Sequence, residues 1–178
     1  MNSYAVFIRG INISGRNPLS MPLLKKELAN NGLLKAKTFL NSGNIIIETD
    51  DDKQELSNLL TRILRDIFKL AVPFKIIESS KLLALADNIP EFAKKEGYYH
   101  NVIFIIDDLS PQELLAELGP CSKEEEVFIF DEFIYWSYDL KCYQKCNYWK
   151  RTAQVPMNEK MTIRTLKTIV KMADHLKG

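Results

Sequence analysis

A chain of 178 residues, 46% of them hydrophobic, is long enough to bury a substantial core as one domain or as two small halves. With 24 Lys and Arg against 23 Asp and Glu, no overall charge draws it to nucleic acid or to a membrane surface, and no apolar run approaches the ~20 residues of a transmembrane helix. No secretion signal is visible, and three cysteines are too few, and odd in number, for a disulfide framework, so a reducing, cytoplasmic setting is expected.

Residues 4–8 are apolar, aromatic or β-branched throughout, which suits a central strand buried on both faces. Pro18 and Ser20 mark a helix start, with Ser20 as N-cap and Leu24 and Leu28 inward, and Asn30-Asn31-Gly32 stops it. Lys35–Leu40 and Ile45–Thr49 flank the turn Asn41-Ser42-Gly43-Asn44 and read as a hairpin. Asp52 with Glu55 forms a capping box ahead of Leu56, Leu60, Ile63, Ile67 and Leu70 at helical spacing, and Pro73–Glu78 is a further strand. The order β-α-β-β-α-β is that of ferredoxin-like folds.

The second half repeats the theme. A short helix over Lys81–Asp87 leads into a connection ending near His100, and Val102–Asp107 is strand-like. Ser110 and Glu113 frame a capping box with Pro111 at the first helical position, and Gly119-Pro120 ends that helix. Val127–Phe130 and Phe133–Tyr138 enclose Asp131-Glu132 as a hairpin. After an irregular segment, Thr162 is expected to cap a last helix bearing Ile163, Leu166, Ile169, Val170 and Ala173, with no obvious final strand. The expected fold class is therefore α+β: two ferredoxin-like subdomains with antiparallel sheets, arising by internal duplication. The expected domains are 1–79, a short helix and connection over 80–100, and 101–178 with a basic C-terminal helix.

In a β-α-β-β unit a right-handed crossover makes the first two strands parallel, and the third returns between them. The end of strand one, the start of helix one and the hairpin turn then share one edge of the sheet. That brings Arg9, Gly10, Asn12, Gly15, Arg16 and Asn17 near Ser42, Gly43 and Asn44. Two guanidinium groups and free helix N–H groups at one rim suit a phosphate or carboxylate. Equally, Gly and Asn are ordinary turn residues, and Arg9 can serve as a structural pin. Gly10 and Gly15 have the spacing of a phosphate-binding loop, yet Arg16-Asn17 stands where Lys and a hydroxyl residue belong, so nucleotide hydrolysis is disfavoured.

Arg9-Gly10-Ile11-Asn12 with Gly15 and Asn17, then Ser42-Gly43-Asn44, resembles the opening of the bacterial family known as domain of unknown function 1697. Thr162, Arg164 and Thr168 resemble its closing motif, while Thr165 stands for the usual Asn, Ser14 for Gly and Asn41 for Gln. The resemblance implies a two-part ferredoxin-like protein and carries no established activity, hence no catalytic residue.

Leu140–Thr152 interleaves Lys141, Lys145, Lys150 and Arg151 with Tyr143, Tyr148 and Trp149, the ingredients of a single-strand nucleic-acid surface, although aromatics in a core beside solvated charges explain the pattern more simply. From Lys141 to Gly178 there are nine Lys or Arg against two Asp or Glu. Lys150, Arg151, Arg164 and Lys167 are the candidate nucleic-acid contacts. Cys142 and Cys146 lack further ligands for a structural zinc, and His100 and His175 are isolated, so neither metal nor cofactor is expected. The expectation is a non-catalytic binding module for a phosphorylated small molecule, nucleotide or nucleic acid at the 9–17 and 41–44 rim. The alternatives are an enzyme acting on a small anionic substrate there, or a structural or protein-interaction module. Exposed sheet edges also leave homodimer formation open.

Overall fold

Strand β1 (Asn2–Ile8) buries five consecutive residues, Tyr4 to Ile8, because it runs through the interior of a sheet with apolar residues on both faces. The computed structural model describes every residue except Ser14 and separates into two units, Met1–Leu82 and Leu83–Gly178. In the first unit β1 is joined by β2 (Lys37–Phe39), β3 (Asn44–Thr49) and β4 (Phe74–Glu78) in the order β2-β3-β1-β4, every neighbour antiparallel. Strands β1 and β2 thus run parallel with β3 between them. Helices α1 (Met21–Asn30) and α2 (Lys53–Arg62) contribute Leu24, Leu28, Leu56 and Leu60 to a core shared with Val6, Ile8, Ile45, Ile47 and Ile76.

Local chemistry sets the helix starts. The Ser20 hydroxyl accepts from the Leu23 amide, and Asp52 and Glu55 complete a reciprocal capping box. The expected stripe is interrupted at Ile67, because Ile63–Ile67 winds as a wide π-type turn, while Leu70 still packs against the core. The extra residue in that turn rotates Ile67 outward, where it is 43% exposed.

The second unit repeats the topology. Strands β5 (Tyr98–Ile105), β6 (Glu125–Phe130), β7 (Phe133–Asp139) and β8 (Met161–Thr165) lie in the order β6-β7-β5-β8, again wholly antiparallel. Helix α4 (Pro111–Leu118) occupies the place of α1, and the short α5 (Asn147–Thr152) falls between β7 and β8 as α2 falls between β3 and β4. Helix α6 (Leu166–Lys177) follows β8 just as α3 (Ser79–Asp87), which holds the boundary between the units, follows β4. The protein is two ferredoxin-like subdomains of one repeated β-α-β-β-α-β-α plan.

Three expectations are corrected here. The second half does possess its last strand: β8 pairs with β5 from Met161↔Ile105 to Thr165↔Asn101. Thr162 lies inside that strand, and Thr165 caps α6, accepting from the Thr168 amide. Strand β5 begins at Tyr98, inside the stretch read as a connection.

Candidate functional site

The loop after β1 and the β2–β3 turn meet as the topology requires. Phe7 pairs with Asn44, and the Ile8 amide donates to the Gly43 carbonyl at 2.8 Å. Asn12 is the tie between them. Its side-chain amide donates to the carbonyls of Leu19 (2.9 Å) and Asn41 (2.8 Å), while its Oδ1 accepts from the Leu19 amide at 2.8 Å. Asn17 donates to the Gly10 carbonyl at 2.9 Å, and Asn44, fully buried, donates to the Phe39 carbonyl and to Ser42 Oγ.

The backbone here visits left-handed conformations repeatedly. Gly10, Asn12, Gly15, Asn17, Leu40 and Gly43 all have positive φ, and Asn12, Asn17 and Leu40 lack the excuse of being glycine. Gly43 is required for space as well. A Cβ there would stand 2.7 Å from Ile11 Cδ1 and 2.8 Å from Ile8 Cβ. Arg16 is exposed and Arg9 half-buried, with the Arg9 amide donating to the Pro73 carbonyl at 2.9 Å.

Two of the loop's described amides are turned inward on the loop itself. The Asn12 amide donates to the Asn17 carbonyl and the Arg16 amide to the Ile13 carbonyl, so the segment closes on itself as a small hairpin. The positive charges at this rim are the guanidinium groups of Arg9 and Arg16. Ser14, the departure from the opening pattern, lies outside the described residues.

Residues 1–135 match the family described as protein of unknown function (DUF1697). The chain belongs to this family. Over 98% of both chains, its structure also resembles that of the conserved bacterial protein SP0830 from Streptococcus pneumoniae, with a TM-score of 0.85 and 28% sequence identity. No curated protein matches. The residues that resemble the family's closing motif lie beyond the matched span and turn inward. Arg164 is 8% exposed, and its guanidinium donates to Thr162 Oγ1 (2.7 Å) and to the Ile163 carbonyl (2.9 Å). Burial lowers its pKa to about 10. Arg164 is therefore withdrawn from any basic surface, contrary to the sequence-based expectation, while Thr165 and Thr168 bond to each other at 2.9 Å.

The other candidate contacts remain outside. Lys150 and Lys167 are exposed, and exposed Arg151 is tethered by a 2.7 Å bond from its guanidinium to the Glu117 carbonyl. Among the described residues no group of three or more His, Cys, Asp or Glu could hold a metal ion, and no helix is long and apolar enough to cross a membrane. Burial pushes the Cys121 thiol up to about 12 and the Cys146 thiol up to about 11, with Glu125 adding to both.

Two features carried no sequence signal. Glu125, the first residue of β6, is a buried carboxylate that accepts from the amides of Asn147 (2.8 Å), Tyr148 (3.0 Å) and Trp149 (3.3 Å) and from the Trp136 indole at 3.2 Å. It caps α5 from a distant strand. Second, where β8 stops at Thr165, β5 continues back to Tyr98, and a shallow cavity of ≈ 490 Å³ opens between them, lined by Tyr98, Tyr99, His100, Thr165, Lys167 and Val170, with Leu166. His100 is held there by Ser137 Oγ (2.7 Å) and the Lys95 carbonyl (2.9 Å). The polar run Tyr98 to Asn101 hides the strand that builds this cavity.

Proposed function

We propose that the protein is a non-catalytic binding module whose rim, formed by the Arg9–Asn17 loop and the Asn41–Asn44 turn, takes a phosphate-bearing ligand, either a nucleotide or nucleic acid. The observation that carries this reading is the Asn12 side chain, whose three hydrogen bonds fix loop and turn to each other in a conformation rich in left-handed residues. Strained, over-determined backbone of this sort concentrates at ligand clamps. With Asn12 holding loop and turn together, Arg9 and Arg16 would meet an anion at little cost in conformational entropy. The three free thiols suit a reducing cytoplasm.

The test is a thermal-shift series with nucleotides, sugar phosphates and short RNA and DNA. A ligand at about 100 times its Kd stabilises the folded state by about 2.7 kcal/mol, which reads as a higher Tm. That gain should vanish in Arg16→Ala and Arg9→Ala. No shift with any of these compounds would sink the reading. The hydrogen bonds that Asn12, Asn17 and Asn44 make to neighbouring backbone and side chains favour a second, purely structural reading, in which Arg9→Ala lowers Tm and alters no ligand response.

A further inference from the structure

The segment Leu140–Thr152 is divided by the fold into a buried and an outward face. Tyr148 packs inward, its ring 6.4 Å from that of Trp136, whereas its neighbour Trp149 is 40% exposed. The Trp149 ring meets Tyr143 edge-on at 4.9 Å, which joins the turn at Tyr143–Lys145 to α5 as one aromatic ledge. The ledge is rigid because Glu125 grips the first amides of α5 from beneath. Lys141, Lys145 and Lys150 are exposed around it, and none has an ion-pair partner among the described residues. Asp139 is the only acidic residue from 139 to 152, and its Oδ1 is engaged by the Lys141 amide.

An exposed indole on a fixed backbone, bracketed by unpaired ammonium groups, is the pairing of stacking surface and backbone charge that single strands require. Helix α5 is only six residues long, too short for an amphipathic membrane-surface helix, which argues against an anionic bilayer as the partner. We infer that Trp149 and Tyr143, with Lys141, Lys145 and Lys150, form a sequence-tolerant contact site for single-stranded nucleic acid in the second unit. A base stacks on Trp149 and the adjoining phosphates pair with the lysines. This site stands apart from the rim reading and does not rest on it.

Short single-stranded oligothymidylate and oligouridylate, offered to the full-length protein, provide the test. Labelled-strand anisotropy should show binding that weakens linearly in log–log against salt, with a slope of about −0.7 per phosphate engaged. Lys145→Ala and Lys150→Ala should each flatten the slope by about 0.7. Trp149→Ala should weaken binding about tenfold to a hundredfold, and Trp149→Phe should restore much of the loss. Equal response to both strands places the contact on base faces and phosphates, and preference for the uridylate adds a 2′-hydroxyl contact to the same site. The inference is overturned if neither strand binds, if duplex binds as well as single strand, or if anionic vesicles alone are bound. It is also overturned if Arg16→Ala abolishes strand binding while Trp149→Ala leaves it intact, because the rim would then be responsible.

Discussion

Gly43 shows how much a single position decides. The sequence Asn41-Ser42-Gly43-Asn44 marks a turn, and the Gly is legible as a residue with positive φ. What the sequence cannot show is that Ile8 and Ile11 press against the place where a side chain would begin. Gly43→Ala should therefore combine a left-handed penalty with overpacking against a β-carbon, lowering stability by about 2–4 kcal/mol. Gly10→Ala, with nothing within 4 Å of the added carbon, should cost only the conformational part, about 1 kcal/mol. Urea midpoints of the two variants separate the terms, and equal midpoints would refute the steric account. Asn12 teaches a related lesson: its place in the loop was readable, but the occupation of all its hydrogen-bonding groups depends on Leu19 and Asn41 arriving at the same point.

At the level of elements, local signals succeeded where the determinants are local. Both capping boxes are present, as are Ser20 as a cap and the glycine stop at Gly119. Strand β8 is hidden in the sequence because its buried positions include Thr162 and Arg164, so no apolar alternation marks Met161–Thr165, and Ile163 falls in helical register with Leu166 and Ile169 of α6. Helix α5 is hidden for a different reason: its own sequence supplies no cap, the cap being Glu125 more than twenty residues earlier in the chain. Replacing that carboxylate tests the point. Glu125→Gln keeps the shape but exchanges an acceptor oxygen for a donor amide, leaving buried N–H groups of Tyr148 and Trp149 without their full complement. A loss of about 3 kcal/mol is expected, with accelerated hydrogen exchange at residues 147–149. Unchanged exchange there would mean that α5 holds itself. On α4, Ser110→Ala should cost about 1 kcal/mol in the same assay. The hydrogen bonds from Ser110 also hold the Glu113 carboxyl below its ordinary value. That contribution to stability is present above the usual carboxylate range and is lost as pH falls through the lowered folded value.

The two subdomains share a topology but not their titration behaviour, and this separates them experimentally. Burial raises the pKa of Cys121 to about 12, of Cys146 to about 11, and of Tyr135, Tyr138 and Tyr148 to about 12, all in the second unit. Tyr4, also raised by burial, is the one such group described in the first. Below the ordinary thiol value of 9.0, folded and unfolded chains alike keep these protons and the stabilisation is intact. As pH climbs past 9.0 for the thiols and 10.0 for the phenols, the unfolded chain ionises while the folded one does not. Stability then falls until the raised values are reached. Arg164 works the other way: its folded value near 10 against an ordinary 12.5 adds stability over that interval, one group opposing five. Both tryptophans, Trp136 and Trp149, lie in the second unit, so tryptophan emission reports that unit alone whereas far-ultraviolet circular dichroism reports both. The urea midpoint followed by emission should therefore drop steeply between about pH 9 and pH 12, the span from the ordinary thiol value to the raised values. Part of the circular dichroism signal should persist to higher denaturant. Cys121→Ser should blunt the drop by removing one of the protons held. An emission midpoint that stays level across that range would show that these groups are solvated in the folded chain, and with it the tightly packed second core would have to be abandoned.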